Sequence, residues 1–206
     1  MGQQLHASVV AVTGGMGSGK SSVSAYLCEI GGAQGLNADT ICRQLLEPEA
    51  SGWLAVRQAF GGRFFLPDHS IDRPLLRQVL FADQEFRREL NALLHPLVRK
   101  VISGCIAAEL ERNPPARPRF VVEVPLLYEA HWEHDFSPVV VTYADATTCL
   151  RRIMQRDRIN EAEAEKGLAA QMPLPHKALL ADHVIDNSGP WSDTCLQILH
   201  LRELLW

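Results

Sequence analysis

The sequence is poor in the features that mark membrane, secreted or nucleic-acid-binding proteins. Acidic residues outnumber basic ones by 24 to 20, so the chain lacks the positive excess typical of nucleic-acid binding. Its longest apolar runs, such as 9–13 and 139–142, are far too short to span a bilayer. The first six residues lack the charged and apolar regions of a secretory signal. We therefore expect a cytoplasmic protein with no membrane or nucleic-acid partner.

Cysteine is also scarce, and its pattern excludes two further classes. The five cysteines are an odd number, widely separated and without a C-x-x-C spacing. This pattern indicates free thiols in a reducing compartment and argues against a disulfide framework or a zinc site. With 206 residues, of which 47% are hydrophobic, the chain can bury one sizeable core with a small added subdomain. The oligomeric state stays open, with a monomer as one possibility.

One stretch carries a strong chemical signal. The β-branched run at 9–13 is typical of a buried strand, and G-x-x-x-x-G-K-S follows it from Gly14 to Ser21. A helical pattern begins directly afterwards. Glycine amides and a helix N-terminus can together surround a polyphosphate, so this order predicts a phosphate-binding loop. The alternative is a glycine-rich turn with an incidental lysine, which the flanking strand and helix disfavour.

Within this loop we assign separate roles to Lys20 and Ser21. The Lys20 ammonium would bind the β- and γ-phosphates of a nucleotide, and the Ser21 hydroxyl would ligate Mg²⁺. The predicted nucleotide-binding residues are Gly14, Gly15, Met16, Gly17, Ser18, Gly19, Lys20, Ser21 and Ser22.

Strand and helix patterns alternate along most of the chain. Strands are expected near 33–37, 120–124, 139–143 and 181–186, and helices near 20–30, 40–46, 53–60, 147–158, 161–171 and 191–206. This alternation predicts an α/β domain with a parallel sheet. A helical block at 73–111 interrupts it, with a new helix expected at Leu97 after Pro96, and Asn113–Pro118 reads as a loop. We interpret the block as a cap inserted between the second and third strands.

Two carboxylates follow predicted strands, where ligands of parallel sheets bind. Asp39 could orient or deprotonate an attacking hydroxyl, or hold Mg²⁺ through water; alternatively, it could cap a helix that starts at Thr40. Glu123 could hold Mg²⁺ or be a satisfied polar residue at a strand end. Both alternatives stay open on the sequence.

Basic residues suggest where a second phosphate contact could come from. Arg152 and Arg156 are four residues apart and therefore share one helix face, which suits a lid closing over a transferring phosphoryl group. A solvated surface helix is the alternative. The cap is also basic, and an anionic acceptor would need some of these residues. His95 could contact a ligand there, or be structural.

Eight motifs occur in one order along nearly the whole chain and resemble the dephospho-coenzyme A kinase family. They read T-G-G-M-G-S-G-K-S, N-A-D, I-D-R-P-L-L, L-N-A-L-L-H-P-L-V-R, V-P-L-L-Y-E, R-R-I-M-Q-R-D, A-A-Q and A-D-H-V-I-D-N-S-G. The resemblance implies transfer of the ATP γ-phosphoryl group to the ribose 3′-hydroxyl of dephospho-coenzyme A. It also implies a P-loop NTPase-type five-stranded parallel sheet flanked by helices, with a helical acceptor-binding insertion and a lid.

The same resemblance assigns regions and residues. The nucleotide-binding core would comprise 1–60 and 117–206, with a lid at about 147–180, and 61–116 would bind the acceptor. Asp39 resembles the catalytic base, and Arg152 and Arg156 resemble lid arginines that act with Lys20. Asn187 falls in a loop expected to flank adenine. The expected acceptor-binding residues are Asp39, Arg73, His95, Arg99, Pro125 and Leu126.

Three positions depart from the family pattern, and two other functions stay open. Asn37 replaces the first aspartate of a D-A-D motif, Ser22 replaces a threonine, and Cys149 replaces a glutamine. The chain could instead be a kinase of the same fold for another hydroxyl, such as a nucleoside or small metabolite. A nucleotide-dependent switch is the third hypothesis, although the N-K-x-D tetrapeptide of guanine-binding switches does not occur in the sequence.

Overall fold

The computed structural model describes residues 7–112 and 117–206, and these residues form two compact units. The first unit comprises Met1–Asn37 with Glu109–Trp206, and the second comprises Ala38–Ala108. The predicted loop at Asn113–Pro118 falls mostly on residues 113–116, outside the described residues, as do the first six residues. Among the described helices, none combines the length and apolar character needed to cross a membrane.

The first unit is built on a five-stranded parallel sheet, which confirms the predicted fold class. The strands lie in the order β2-β3-β1-β4-β5, with every pair parallel. Their bounds are Ser8–Gly14 for β1, Gln34–Asn37 for β2, Arg119–Glu123 for β3, Val139–Tyr143 for β4 and His183–Asp186 for β5. The central position of β1 explains its unbroken apolar run, because helices cover both faces of such a sheet.

The first and last helices of the first unit pack against this sheet through a buried cluster. Val10 and Val12 of β1 contact Leu27 of the following helix and Ile198 of the last one, and all four are fully buried. The helices are α1 (Lys20–Gly31), α6 (Ala146–Asp157), α7 (Glu161–Ala169), α8 (Leu174–Leu180) and α9 (Trp191–Leu205), with a 3₁₀ turn at Glu133–Asp135. Side-chain caps start two of them: Asp145 accepts from the Thr148 amide, and Asn160 forms a capping box with Glu163.

The second unit is helical and has its own core. Its helices are α2 (Ala38–Leu45), α3 (Ser51–Phe60), α4 (Arg73–Ala82) and the part of α5 (Gln84–Arg112) that lies within it. The core residues are Trp53, Val56, Phe64, Ile71, Leu76, Phe86, Leu90 and Leu94. Because α3 contributes to this core, the unit starts at Ala38, whereas the predicted acceptor subdomain starts at 61. The assignment of these helices to acceptor binding stays a prediction.

Three local expectations differ from the structure. No new helix starts at Leu97, because α5 continues through Pro96. Leu90, Leu94, Val98 and Ile102 are buried along this helix, and we attribute its continuity to their packing, which outweighs the hydrogen bond that proline forfeits. Helix α2 starts at Ala38, two residues earlier than expected. Helix α8 was not predicted; Pro173 precedes it as the N-cap residue, and Pro175 lies in its first turn, where proline is tolerated.

Candidate active site

The loop between β1 and α1 has the geometry of an anion site. Gly17 and Gly19 have positive φ angles of 75° and 88°, which glycine adopts readily. A Cβ on Gly17 would lie 2.6 Å from the Cys149 carbonyl oxygen, and one on Gly19 would overlap the Asn187 amide nitrogen. Glycine is therefore required at both positions for its conformation and for its size. Helix α1 begins at Lys20, so the positive end of its dipole lies beside the loop.

Asn187, at the carboxyl end of β5, holds the loop from one side. Its Nδ2 donates to the Ser18 carbonyl at 2.8 Å, and its Oδ1 accepts from Thr194 Oγ1 at 3.0 Å. The residue is only 4% exposed, and its backbone N–H donates to the Tyr143 carbonyl at 2.7 Å. The side-chain amide of Asn187 is thus engaged with the protein. Its contact with the nucleotide stays a prediction. The Asn187 backbone and the neighbouring loop residues would supply that contact.

Three cationic side chains border the same cleft. Lys20, Arg152 and Arg156 line it together with Gly17, Gly19, Ser21 and Ser22. The Arg152 guanidinium donates to the carbonyls of Asn187 at 3.0 Å and of Gly17 at 3.4 Å. Arg152 therefore also holds the loop backbone, which a solvated surface arginine would not do.

Arg156 differs from Arg152 in its partner. Its guanidinium forms a bidentate ion pair with Asp157, with N–O distances of 2.8 and 2.7 Å, and both side chains are substantially exposed. The hydrogen bonds from Arg156 lower the pKa of the Asp157 carboxyl. An exposed pair of this kind contributes little to stability, so Arg156 can exchange its partner for a phosphate at small cost.

Ser21 and Glu123 form an oxygen-rich pair beside the first turn of α1. The Ser21 Oγ donates to Glu123 Oε1 at 2.8 Å, and Glu123 is only 6% exposed. A hydroxyl and a carboxylate fit Mg²⁺, which prefers oxygen ligands and usually completes its shell with water and phosphate. Over residues 7–112 and 117–206, no group of three or more His, Cys, Asp or Glu side chains could hold a metal ion alone. The predicted metal residue, Ser21, thus has a carboxylate beside it, and a metal role for either residue stays a prediction.

Pro125 and Leu126 follow β3 at the same edge of the sheet. The Pro125 carbonyl accepts from Thr13 Oγ1 at 3.3 Å and from the Lys177 ammonium at 3.2 Å. The Leu126 side chain is 45% exposed and available to a ligand.

The remaining acceptor candidates belong to the second unit. Asp39 is exposed and lies inside the first turn of α2, so it is not the cap that the alternative assigned to it. Arg73, at the start of α4, forms an exposed 2.7 Å ion pair with Glu47. His95 is half-buried on α5, and burial, followed by the positive charge of Arg99, lowers its pKa. The imidazole is therefore mostly neutral at pH 7.

The three departures noted in the sequence have distinct environments. Asn37 ends β2, in register with Glu123 of β3. Ser22 lies exposed in the first turn of α1, where its N–H donates to the Gly19 carbonyl at 3.0 Å. Cys149 is 2% exposed, and burial raises the pKa of its thiol. Its position beneath Gly17 makes it part of the floor of the loop.

Sequence reasoning gave no role to three residues that the structure places around the loop. The segment between α7 and α8 contains Gln171, whose side chain accepts from the Met16 N–H. Glu129 accepts from the N–H of Met172 in the same segment, and Lys177 of α8 donates to the Pro125 carbonyl. Gln171 and Glu129 lie in motifs quoted above, but nothing in those motifs shows which backbone group each one contacts. Lys177 faces inward from α8, so its burial could be predicted only once that helix was known.

A parallel sheet in this order, with a glycine loop and lysine at the end of its central strand, defines a P-loop nucleotide-binding protein. The sequence model of the dephospho-CoA kinase family matches residues 8–193. The chain belongs to this family.

Relatives and solved structures agree with this assignment. A dephospho-CoA kinase domain-containing protein of Danio rerio is 39% identical over 199 residues, which cover 96% of this chain and 85% of that protein. The dephospho-CoA kinase of Geobacter sulfurreducens is 40% identical over 181 residues, covering 88% and 90% of the two chains. The crystal structure of TT1252 from Thermus thermophilus has a TM-score of 0.81 at 28% identity and covers 97% of each chain. The dephospho-CoA kinase from Campylobacter jejuni shares the fold, with a TM-score of 0.65 at 24% identity over 96% and 97%.

Proposed function

We propose that the protein transfers the γ-phosphoryl group of ATP to the ribose 3′-hydroxyl of dephospho-CoA and releases ADP and CoA. The observation that carries the proposal is the family match over residues 8–193, which includes the phosphate loop, Asp39 and both arginines of α6. The three cations around the phosphate loop support it, because phosphoryl transfer depends mainly on positioning and on neutralising charge.

The nucleotide would bind through the loop and the start of α1. Backbone amides of the loop would surround the phosphates, and Lys20 would contact the β- and γ-phosphates. Mg²⁺ would be held by Ser21, with Glu123 directly or through water, and when bound it neutralises phosphate charge. Arg152 and Arg156 would contact the transferring group from the opposite side, where charge accumulates in the transition state.

The acceptor would be aligned by Asp39, two residues beyond the carboxyl end of β2. Its carboxylate would accept the proton of the 3′-hydroxyl as the oxygen attacks phosphorus, while the bond from phosphorus to the ADP oxygen breaks. Arg73, His95 and Arg99 would bind the rest of the acceptor, with Pro125 and Leu126 from the first unit. Bidentate guanidinium groups suit the diphosphate of dephospho-CoA.

We also place the reaction in the cytoplasm, with small molecules as the only partners. The described cysteines Cys28, Cys42, Cys105, Cys149 and Cys195 are free thiols, which supports a reducing compartment.

The test is phosphorylation of dephospho-CoA by the purified protein with Mg-ATP, followed by mass spectrometry of the product. We expect one added phosphate on the ribose. CoA is the matched negative control, because its 3′-hydroxyl already carries phosphate. A panel of nucleosides and small alcohols tests the other kinase hypothesis. Turnover of a panel compound with none of dephospho-CoA would overturn the proposal, and ATP binding without turnover of any acceptor would favour a switch.

A further inference from the structure

The segment joining α7 to α8, residues 170–173, contacts the phosphate loop through one specific hydrogen bond. The Gln171 Oε1 accepts from the Met16 backbone N–H at 2.9 Å, across 155 positions of sequence. Met16 lies in the middle of the glycine loop, and its side chain packs against α7, since a Cβ on Gly167 would lie 2.7 Å from Met16 Cε. Gln171 therefore fixes the position of the Met16 backbone, and the end of α7 fixes that of its side chain.

An ion pair between the buried Lys177 and the partly buried Glu129 holds this segment. The Lys177 side chain is 0% exposed, and its ammonium lies 2.9 Å from Glu129 Oε1. The same Glu129 oxygen accepts from the Met172 N–H at 2.9 Å, next in sequence to Gln171. The Lys177 ammonium also donates to the Pro125 carbonyl at 3.2 Å. Segment 170–173 is therefore tied to the loop after β3 immediately beside the residue that contacts the phosphate loop.

The cost of burying this pair suggests that the arrangement serves more than stability. Desolvating an ammonium is expensive, and buried ion pairs are often no better for stability than apolar side chains of similar size. The other Glu129 oxygen, Oε2, is buried and has no hydrogen-bond partner in the described part of the chain. What the pair supplies is a fixed geometry, because it holds two backbone groups at once.

We propose that Gln171 is a positioning residue of the phosphate site, and that the Lys177–Glu129 ion pair holds Gln171 in place. The Met16 N–H belongs to the peptide between Gly15 and Met16, so the Gln171 bond fixes the backbone just before Gly17 and with it the direction of the loop amides that would bind phosphate. With Met16 N–H engaged by Gln171, the loop is organised before nucleotide arrives, and less conformational entropy is lost on binding. The inference rests on the proposed function only in taking a nucleotide as the ligand.

The first test measures equilibrium ATP binding by calorimetry, with Mg²⁺ and without acceptor, for the wild-type chain and Gln171→Met. Methionine has similar length, and its thioether sulfur is only a weak acceptor in place of the Gln171 amide oxygen. We expect the Kd for ATP to rise about tenfold, equivalent to about 1.4 kcal/mol. Because no acceptor is present, a failure of the proposed acceptor specificity leaves this result unaffected.

Arg119→Met is the matched control. Arg119 is partly buried and donates to the Gly31 carbonyl at 2.9 Å, but it starts β3 at the opposite end of the sheet. We expect it to lower the thermal midpoint without changing the Kd for ATP. If Gln171→Met behaves in the same way, with a lower midpoint and a Kd within twofold of wild type, then Gln171 is merely structural and the proposal is wrong.

The second test concerns the ion pair. Lys177→Met should raise the Kd for ATP in the same direction, and the Gln171→Met/Lys177→Met double variant should be weaker than wild type by less than the product of the single effects. Should Lys177→Met not fold, Lys177→Met/Glu129→Gln removes both buried charges and takes its place in the cycle. Multiplicative effects, or no effect of the Lys177 change on ATP binding, would show that the pair does not act through Gln171.

Discussion

The phosphate loop and the acceptor candidates of the second unit differ in how firmly the protein holds them. Ser18, Gly17 and Met16 are each bonded by a side chain from a distant part of the chain. Asp39 and Arg73, by contrast, are exposed residues on helical first turns, and Arg73 pairs with an exposed glutamate, Glu47. The phosphate loop is therefore organised before a ligand binds, whereas the acceptor candidates carry charges that can change partners.

This difference matters because the two substrates make different demands. Phosphates need many donors at fixed positions, and fixing them in advance lowers the cost of binding. An acceptor that must bring its hydroxyl to the reaction also needs room to enter and leave. Substitutions of side chains that bond the loop backbone should consequently change both stability and catalysis, while those of the exposed Asp39 and Arg73 should change catalysis alone.

The largest effect is expected for Arg152→Met. This arginine would stabilise the transferring group, and such a contribution is worth about 10³- to 10⁵-fold in kcat. Because Arg152 also bonds the Gly17 and Asn187 carbonyls, its loss should lower the thermal midpoint as well. Steady-state kinetics and thermal unfolding measure the two effects.

Two neighbours serve as controls for Arg152. Arg156→Met should lower kcat with little change in the midpoint, since its partner Asp157 is partly exposed. Arg151→Met, on an exposed neighbouring position, should leave both unchanged. Equal loss of activity in the Arg151 and Arg152 variants would contradict the assignment of Arg152.

The next largest effect is expected for Asp39→Asn. Loss of a general base costs about 10²- to 10⁴-fold in kcat. The residue is exposed, so the thermal midpoint and the Kd for ATP should stay close to wild type. Glu49→Gln, another exposed carboxylate of the second unit, is the control. Turnover within a few fold of wild type in Asp39→Asn would refute its role as base.

A smaller effect is expected for Glu123→Gln, and it should depend on metal. Loss of a partner of this kind typically weakens metal affinity by about 10- to 100-fold. Activity titrated against Mg²⁺ at fixed ATP should shift to higher Mg²⁺ and recover at saturation. The exposed Glu111→Gln change should leave the titration unmoved. An unshifted curve for Glu123→Gln would remove this residue from the metal site.

The smallest effect concerns pH and the second unit. Burial lowers the pKa of His95 in the folded protein, so the unfolded chain binds this proton more readily. Its contribution to stability is complete above the unfolded pKa of about 6.5 and is lost as pH falls through the lower folded value. Between about pH 7 and pH 5 the free energy of unfolding should therefore fall less in His95→Gln than in wild type. Urea unfolding at several pH values measures it, with the exposed His200→Gln as control; parallel curves for wild type and His95→Gln would contradict the prediction.

The elements that sequence predicts best are those whose signal is contiguous. Strand β1, the glycine loop and the start of α1 occupy one stretch of sequence, and their order alone indicates the phosphate site. Pro96 and α8 show where local rules are weaker. Proline opposes a helix interior, yet α5 continues through Pro96, and α8 begins directly after Pro173 with Pro175 in its first turn.

The supports of the phosphate loop could not be read from spacing. Asn187 lies 169 positions from Ser18, and Gln171 lies 155 positions from Met16. Such contacts depend on which strand ends adjoin in the sheet, and hence on an order of strands that local patterns do not determine. The sequence left two roles open for Glu123, a magnesium ligand or a satisfied polar residue at a strand end. It could not decide between them, because the nearness of Glu123 to Ser21 arises from the pairing of β3 with β1.

The distant origin of these supports has a consequence for synthesis. The loop precedes its supports by 135 positions for Arg152, 155 for Gln171 and 169 for Asn187, so these residues leave the ribosome well after it. The neighbours of β1 in the sheet, β3 and β4, are also translated after it. A nascent chain therefore has to carry its glycine loop unsupported until Asn187 has emerged, and tight nucleotide binding should arise only after that point.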